Sequence, residues 1–306
     1  MKLDNERGMV LLLVLVVVAL LSALLSDFAF STLIDMRLTE TFRDTTRAEY
    51  LARGGITAGR MILQTDKNSY DANNDPSELW SIGVQDYPLA EGSVSVKIED
   101  LDGRLQLNQL VDQQGNPIGY RVERFVRLCQ DLALENPEAL AAALIDWIDP
   151  DHDPEPGGAE DAEYLAQNPS YEATDGAMRS IDELRLIRGF DAETVARLSP
   201  FVSSFGSGKL NINTAAPEIL RIWDPDTVAP IEDLLSKRDE APFHQIEDLR
   251  ETLGVDTFTA MNRNLDLGVS SSYYLISSQG RVNDGARRMQ AVVNKTGDNL
   301  LWQKVN

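Results

Sequence analysis

The chain begins with one long apolar run directly after a short polar segment. The seventeen residues Met9–Leu25 contain a single polar side chain, a serine. A helix of that length spans roughly 25 Å at 1.5 Å per residue, just enough for the hydrocarbon core of a bilayer. Apolar residues continue at helical spacing beyond the run, and no proline occurs before Pro76. The pattern predicts one helix from about residue 9 to about residue 64, with residues 9–25 in the membrane.

The same segment also fits a plain single-pass anchor followed by a stalk. A secretory signal fits less well, because its apolar region is shorter and a small-x-small cleavage site follows it. Here the run is followed by the residues Asp27-Phe28-Ala29-Phe30. The pattern therefore favours an apolar helix that stays on the protein.

Two further segments alternate between apolar and polar residues around an Asp-Gly turn, as β-hairpins with one buried face do. They are residues 94–107, with the turn at Asp102-Gly103, and residues 274–293, with the turn at Asp284-Gly285. Residues 65–89 are rich in Asp, Asn, Ser and Pro, a composition that predicts a segment connecting the long helix to the first hairpin. The region between the hairpins has a helical pattern.

The predicted fold class is α+β, with a long N-terminal helix packed on an antiparallel sheet that a large all-α domain interrupts. A chain of 306 residues is long enough for such an extra domain. The predicted boundaries are residues 9–64 for the helix, 65–108 and 268–306 for the sheet domain, and 109–267 for the insert. The insert divides into two units, about 109–208 and about 209–267.

The composition limits which ligands, disulfides and catalytic sites the chain can have. The net charge is −21, with 49 acidic and 28 basic residues, so the chain repels nucleic acid and suits divalent cations. A single cysteine, Cys129, excludes a disulfide within the chain. The two histidines, His152 and His244, leave little for a histidine-based zinc site or catalytic triad.

Two stretches of the insert share one pattern, which predicts paired helices joined at a glycine. They read SIDELRLIRGFDAETVARLSPFV and HQIEDLRETLGVDTFTAMNRNL. Between them, Leu210 and Ile212 predict a short strand, and Asn213 or Thr214 is the predicted cap of a helix whose first turn contains Pro217. These units resemble helix-hairpin-helix or SAM-like modules.

That resemblance raises the alternative of a membrane-tethered DNA receptor. Phosphate binding by such a hairpin needs backbone N–H groups around a Gly-x-Gly turn and basic residues nearby. Asp191 and Asp256 stand where the second glycine would be, so each turn offers a carboxylate to the phosphate. We therefore expect no nucleic-acid partner.

The most acidic stretch is the candidate metal site. From Asp146 to Met178 there are ten acidic residues and no Lys or Arg, a density that needs either solvent or a bridging cation. Counted from Asp149, the acids follow EF-hand spacing, but position six is Pro154 instead of glycine. The sequence predicts calcium in a loop with its own geometry, and a solvated acidic loop is the alternative. The candidate ligands are Asp146, Asp149, Asp151, Asp153, Glu160, Asp161 and Asp175.

Signals for catalysis are weak. Gly206-Ser207-Gly208-Lys209 is similar to part of a P-loop, but Leu210 replaces the Ser or Thr. Glu160 and Asp161 could form a glycosidase pair, yet no aromatic sugar cleft lies near them in the sequence. We predict no catalytic residues and no enzymatic activity.

The leader carries a family resemblance. "ERG" followed by Met9 and a spanning helix resembles the class III signal of type IV pilins and type II secretion pseudopilins. The resemblance implies that a prepilin peptidase cuts between Gly8 and Met9, removes residues 1–8 and leaves an N-terminus that is methylated in the family. Glycine suits such a site because it lets the backbone approach the peptidase closely.

Two features resemble the K-type minor pseudopilins in particular. Most pilins and pseudopilins carry glutamate at the fifth mature position, where this chain has Leu13. The stretch WIDPDHDPEPGGAEDAEYL, with SIDELRLIRGF after it, is similar to the K-type pattern, although Asp175 replaces a neutral amide of that pattern. Chance loss of the glutamate is the alternative explanation of Leu13.

This resemblance implies a pilin-like fold, an α-domain that binds one or two structural calcium ions, and a place at the tip of the pseudopilus. It implies the I- and J-type minor pseudopilins, the major pseudopilin and prepilin peptidase as partners, with secreted substrates as further candidates. It also implies a single-pass protein of a Gram-negative inner membrane, with its globular part in the periplasm. A minor pilin and a DNA-uptake pseudopilin remain the alternative functions.

Overall fold

The computed structural model describes residues 4–224, 228–295 and 299–306. Residues 1–3 of the predicted leader, 225–227 of the predicted insert and 296–298 of the predicted sheet domain lie outside the described residues.

The N-terminal helix is one continuous element, α1 (Asp4–Thr65, 62 residues), so the predicted helix is confirmed and begins earlier than expected. Its apolar N-terminal part is long enough to cross a membrane and touches nothing else in the fold. The second half packs on a sheet through small residues, among them the buried Ala48 and Ala52. A Cβ at Gly55 would lie 2.1 Å from the Ser278 hydroxyl, so glycine is what lets helix and sheet meet.

The strands are short in the insert and long in the sheet. They are β1 Val84–Leu89, β2 Gly92–Asp100, β3 Leu105–Gln106, β4 Val202–Ser203, β5 Leu210–Asn211, β6 Leu267–Gly268, β7 Tyr273–Val282, β8 Gly285–Asn294 and β9 Asn299–Val305. The remaining α-helices are α2 Leu79–Ile82, α3 Gly119–Asp131, α4 Pro137–Ile148, α5 Asp161–Tyr164, α6 Ala192–Leu198, α7 Pro217–Trp223, α8 Val228–Glu240, α9 Ile246–Leu253 and α10 Val255–Met261. Two 3₁₀ helices span Leu107–Gln109 and Ile181–Leu186.

Five strands form one antiparallel sheet in the order β1-β2-β7-β8-β9, and α1 crosses β2, β7 and β8. The helical region enters between β2 and β7. The predicted hairpin at Asp284-Gly285 is confirmed as β7–β8. The overall class, a long helix on an antiparallel sheet with an inserted helical region, is as predicted.

The other predicted hairpin is wrong. Strand β2 pairs with β1 and β7, whereas β3 leaves the sheet and pairs in parallel with β4. Asp102 explains the departure, because its carboxylate accepts hydrogen bonds from the amide of Ser207 in the insert and from those of Ser272 and Tyr273 at the start of β7, and so holds the turn between the two. The segment 65–89 is also more than a connection, since it contains α2 and β1.

The predicted helix cap is wrong as well. Helix α7 begins at Pro217 after Ala216, and no side chain caps it. Asn213 instead exchanges two hydrogen bonds with the backbone of Phe243, at 2.8 and 2.9 Å, while Thr214 donates to the Asp100 carboxylate. Both residues are therefore used for tertiary contacts.

The buried apolar side chains form two separate clusters. One joins α1 to the large sheet, from Ala52 to Val293 in the chain. The other fills the insert and contains residues between Leu105 and Val269. Within the insert the two repeated stretches form helix pairs that each turn at a glycine with positive φ, Gly189 and Gly254.

Candidate metal centre

The acidic loop is held against the end of α4, which is buried almost throughout. Asp146, in the last turn of α4, is fully buried, and its Oδ1 accepts a 2.9 Å hydrogen bond from the Glu155 amide. The aromatic rings of Trp147 and Tyr164 pack edge to face nearby. This packing turns the loop back so that acids distant in sequence meet.

Three of the predicted ligands form a first group. Carboxylate oxygens of Asp149, Asp151 and Glu160 lie within 4.8 Å of one another. Asp149 is only 4% exposed and Glu160 only 7%. Asp149 Oδ1, both Glu160 oxygens and Asp146 Oδ2 are buried without a hydrogen-bond donor. Buried carboxylates with no donor are costly, and a hard cation with oxygen ligands would remove that cost.

A second group lies on the more exposed side of the loop. His152, Asp161 and Asp175 each offer a ligand atom within 4.8 Å of the others. Asp161 Oδ1 already accepts a 2.7 Å bond from the Ala173 amide, whereas Asp175 Oδ1 is buried without a donor. The His152 Nδ1 is 3.7 Å from Asp175 Oδ2.

The predicted ligands thus differ in where they lie. Asp153 is exposed and belongs to neither group, and its amide donates to Asp151 Oδ1 at 2.9 Å. Asp146 also belongs to neither group, and it fixes the loop to the last turn of α4 by accepting the hydrogen bond from the Glu155 amide. His152 was not among the predicted ligands, and the signal that could have indicated it is its position between two aspartates of the loop.

Burial and mutual repulsion raise the pKa values of carboxyl groups in the first group. Burial raises the pKa of Asp149 to about 7, with the charges of Asp151 and Asp146 adding to the shift. Burial also raises the pKa of Glu160 to about 7, and the charges of Asp146 and Asp149 contribute. These carboxylates therefore resist ionisation in the folded protein unless a positive charge joins them.

A third cluster of acids differs from the acidic loop because a lysine lies beside it. Asp66, Asp71 and Glu78 also lie within 4.8 Å of one another. Lys295 Nζ is 2.8 Å from both Asp66 and Asp71, and Glu78 accepts from Trp80 Nε1 at 2.5 Å. The acidic loop has no lysine or arginine between Asp146 and Met178 to do the same.

We expect calcium to stabilise the protein more at high pH than at low pH. The folded-state pKa values of Asp149 and Glu160 lie near 7, above their ordinary range. A raised carboxyl pKa favours folding fully below about pH 4 and loses that contribution as the pH rises through about 7. The metal-free protein should gain stability as the pH falls from about 8 to about 5, where protons replace the cation.

The measurement is the difference in melting temperature with calcium and with chelator across that range. The difference should shrink as the pH falls, and Glu160→Gln should flatten the dependence. A difference independent of pH would contradict the proposed role of these carboxylates.

Gly158 is expected to tolerate no side chain. An added Cβ would lie 1.9 Å from Asp146 Oδ2, and Asp146 cannot retreat because it is fully buried. Gly158→Ala should lower the melting temperature by several degrees and weaken the response to calcium. Gly176→Ala is the matched control, since a Cβ there meets nothing closer than 3.7 Å. Equal melting curves for the two variants would refute this packing.

Comparison with known proteins places this loop in a family. Residues 103–206 and residues 210–268 match two family models, both described as type II secretion system (T2SS), protein K. Type II secretion system protein K of Klebsiella pneumoniae is 31% identical over 221 residues, covering 70% of this chain and 68% of that protein. This chain belongs to the protein K family of the type II secretion system. The resemblance to K-type minor pseudopilins is thereby confirmed.

Further similarities extend over nearly the whole chain. Protein K of Pseudomonas aeruginosa is 27% identical over 308 residues, covering 97% of this chain and 91% of that protein. A chain in the crystal structure of the GspK-GspI-GspJ complex from enterotoxigenic Escherichia coli superposes with a TM-score of 0.67 at 23% identity. The match covers 90% of this chain and 99% of that chain, and it shows the shared fold. Protein K is a structural component of the secretion system, and the absence of catalysis in this member stays a prediction.

Proposed function

We propose that this K-type minor pseudopilin caps the tip of the type II secretion pseudopilus. The observation that carries the proposal is Leu13 at the fifth position after the expected cleavage site. A glutamate there would be costly in hydrocarbon unless it pairs with the N-terminal amine of a neighbouring subunit. A subunit without it makes no such bond to a subunit beyond, which suits the last position in the filament.

The inserted domain supports the same position. It enters between β2 and β7 and has its own buried core, which makes the globular part much larger than α1 and the sheet alone. A subunit inside a helical filament is surrounded by neighbours, and an insert of this size would clash with them. At the tip one side is open.

In the proposed assembly the K-type protein lies at the tip of the pseudopilus. The I- and J-type minor pseudopilins come next, and the major pseudopilin forms the rest of the filament. The Escherichia coli structure is that of a GspK-GspI-GspJ complex, so a protein of the same fold assembles with these two partners, which supports the same partners here. Helix α1 would anchor the chain in the inner membrane and place the globular part in the periplasm. There it would help to start pseudopilus assembly and to export folded proteins across the outer membrane.

We propose calcium as the structural cation of the insert. Asp149, Asp151 and Glu160 would hold one ion, and Asp161 and Asp175 are the candidates for a second. Bound calcium would neutralise carboxylates that otherwise repel one another in a buried site. Oxygen-only ligation of the first ion is typical of calcium, and magnesium suits it less because it gives up its waters reluctantly.

Assembly is tested with the full chain extracted from membranes after co-expression with the I- and J-type proteins and prepilin peptidase. The three proteins should purify as one stoichiometric complex that does not bind duplex DNA at physiological salt. Leu13→Glu restores the family glutamate and serves as the diagnostic variant, because it should allow further subunits to associate. Binding to DNA without binding to the two partners would refute the assignment and favour a DNA-uptake pseudopilin.

Processing is a separate prediction. Gly8→Ala should block cleavage by prepilin peptidase, because the added methyl group hinders the close approach of the backbone. Mass spectrometry of membrane-extracted protein should find Met9 at the N-terminus of the unchanged chain and the intact leader on the variant. Gly54→Ala is a control, since it changes an exposed glycine of the same helix. An intact leader on the unchanged chain beside active peptidase would contradict the pilin-type signal.

A further inference from the structure

A cleft of about 290 Å³ lies between the large sheet and the first unit of the insert. Its sheet side is the face opposite α1, because Ile276 and Ala291 pack toward α1 while the alternate residues Leu275 and Val292 line the cleft. The 3₁₀ helix Ile181–Leu186 forms the facing wall. The cleft is separate from the candidate metal centre.

The lining of the cleft includes an accessible indole. Trp302 of β9 lines the cleft and is half-buried, whereas Trp80, Trp147 and Trp223 are almost fully buried. An apolar side chain from another molecule could therefore pack against Trp302 without rearrangement of the core.

The rim of the cleft is basic in a chain whose net charge is −21. Arg179 and Arg185 are exposed there, and neither side chain has an ion pair or hydrogen bond among the described residues. The acid that also lines this wall, Asp182, is already bonded to Lys304 at 2.6 Å. The rim thus offers two uncompensated guanidinium groups that attract carboxylates.

Strand β9 lies beside this cleft at an edge of the sheet. Asn306 and Arg288 exchange both backbone hydrogen bonds, so the alternation of an antiparallel pair points the N–H and C=O of Gln303 and Val305 away from β8. No other described strand pairs with that side. Such an edge is a template for an added strand.

The opposite edge of the sheet is protected in a way that β9 is not. Strand β1 contains Pro88 and a register shift near Asp86, which has positive φ. Both features discourage the addition of a strand. Lys304, the charged residue of β9, is turned onto Asp182 and leaves the edge unguarded.

We propose that β9 accepts an extended acidic segment of another protein as a sixth strand of the sheet. Side chains on one face of that strand, two residues apart, would place an apolar group against Trp302 and carboxylates on Arg179 and Arg185. A second copy of this chain fits poorly, because two molecules of net charge −21 repel each other. The proposal does not depend on the position of the protein in the pseudopilus.

The test measures fluorescence anisotropy of a dye-labelled capped heptapeptide with the calcium-loaded full chain in detergent. The probe has Phe at its centre, Asp two residues to either side and Thr elsewhere, and the matched probe has Lys in place of Asp. The acidic probe should bind at least about tenfold more tightly than the lysine probe, with an affinity that falls as salt rises.

Two variants separate charge from strand addition. Arg185→Glu should lower the affinity for the acidic probe at least about fivefold. Arg250→Glu makes the same charge change at an exposed site of α9 and should change that affinity less than about twofold. Gln303→Pro removes an outward N–H and should also weaken binding at least about fivefold. Circular dichroism and melting temperature establish that each variant is folded.

Equal binding of the two probes, or no binding of either at about 1 mM, would overturn the proposal. So would equal effects of Arg185→Glu and Arg250→Glu, or unchanged binding to folded Gln303→Pro. Self-association that Arg185→Glu abolishes would identify a second copy as the occupant and would also overturn it.

Discussion

Removal of calcium is expected to lower the melting temperature of the full chain by about 5–15 °C. Saturating ligand at about 100 to 1,000 times its Kd stabilises a protein by about 3–4 kcal/mol, and each kcal/mol corresponds to about 2–4 °C in a domain of this size. The cause is the first acidic group, in which Asp149 and Glu160 are buried with oxygens that no donor reaches. Differential scanning fluorimetry with calcium and with chelator measures the shift.

Magnesium should restore little of the lost stability, because it keeps its waters. The double variant Asp149→Asn/Glu160→Gln should melt at nearly the same temperature with and without calcium. Asp256→Asn, at an exposed position of α10, should keep the full response. Identical curves for the unchanged protein with calcium and with chelator would show that the loop is only a solvated acidic segment.

The second large effect is expected at an ion pair that holds the two units of the insert together. Arg124 of α3 lies 2.6 Å from Asp266, each side chain is 5% exposed, and the guanidinium is 3.5 Å from the Trp223 ring centroid. Burial lowers the pKa of Arg124, yet the group cannot lose its proton at neutral pH. Asp266→Ala would leave a buried charge unpaired and should cost about 3–5 kcal/mol.

Chemical denaturation in the presence of calcium measures that loss. Replacement of both partners, Arg124→Met with Asp266→Leu, should cost less than Asp266→Ala alone, because no charge is left buried. Glu193→Ala, which breaks an exposed pair with Arg197, should change stability by less than about 1 kcal/mol. A double variant less stable than Asp266→Ala would contradict this explanation.

Local patterns predicted the elements whose partners are adjacent in sequence. The apolar period of α1 and the alternation around Asp284-Gly285 each specify a structure without reference to the rest of the chain. The segment 94–107 has the same alternation, but the Asp102 carboxylate accepts hydrogen bonds from the backbone amides of residues more than 100 positions away. Long-range hydrogen bonds of this kind leave no local signal, so the sequence pattern predicted a hairpin there.

The candidate metal centre was predictable in composition and only partly in arrangement. Acid density and the missing basic residues indicated the loop. The spacing did not distinguish Asp151, which joins Asp149 and Glu160, from Asp153, which faces solvent. That choice depends on how Asp146 and Gly158 fold the loop onto α4, a tertiary effect.

A K-type minor pseudopilin that caps the pseudopilus occupies one end of each filament and no position along it. Electron microscopy of pseudopili assembled in cells measures this position, with a gold label on an epitope tag inserted at the exposed turn Asn283-Asp284. A secretion assay establishes that the tagged protein works. We expect a single label per filament, always at one end. Labels spaced along the filament shaft would refute the proposed cap.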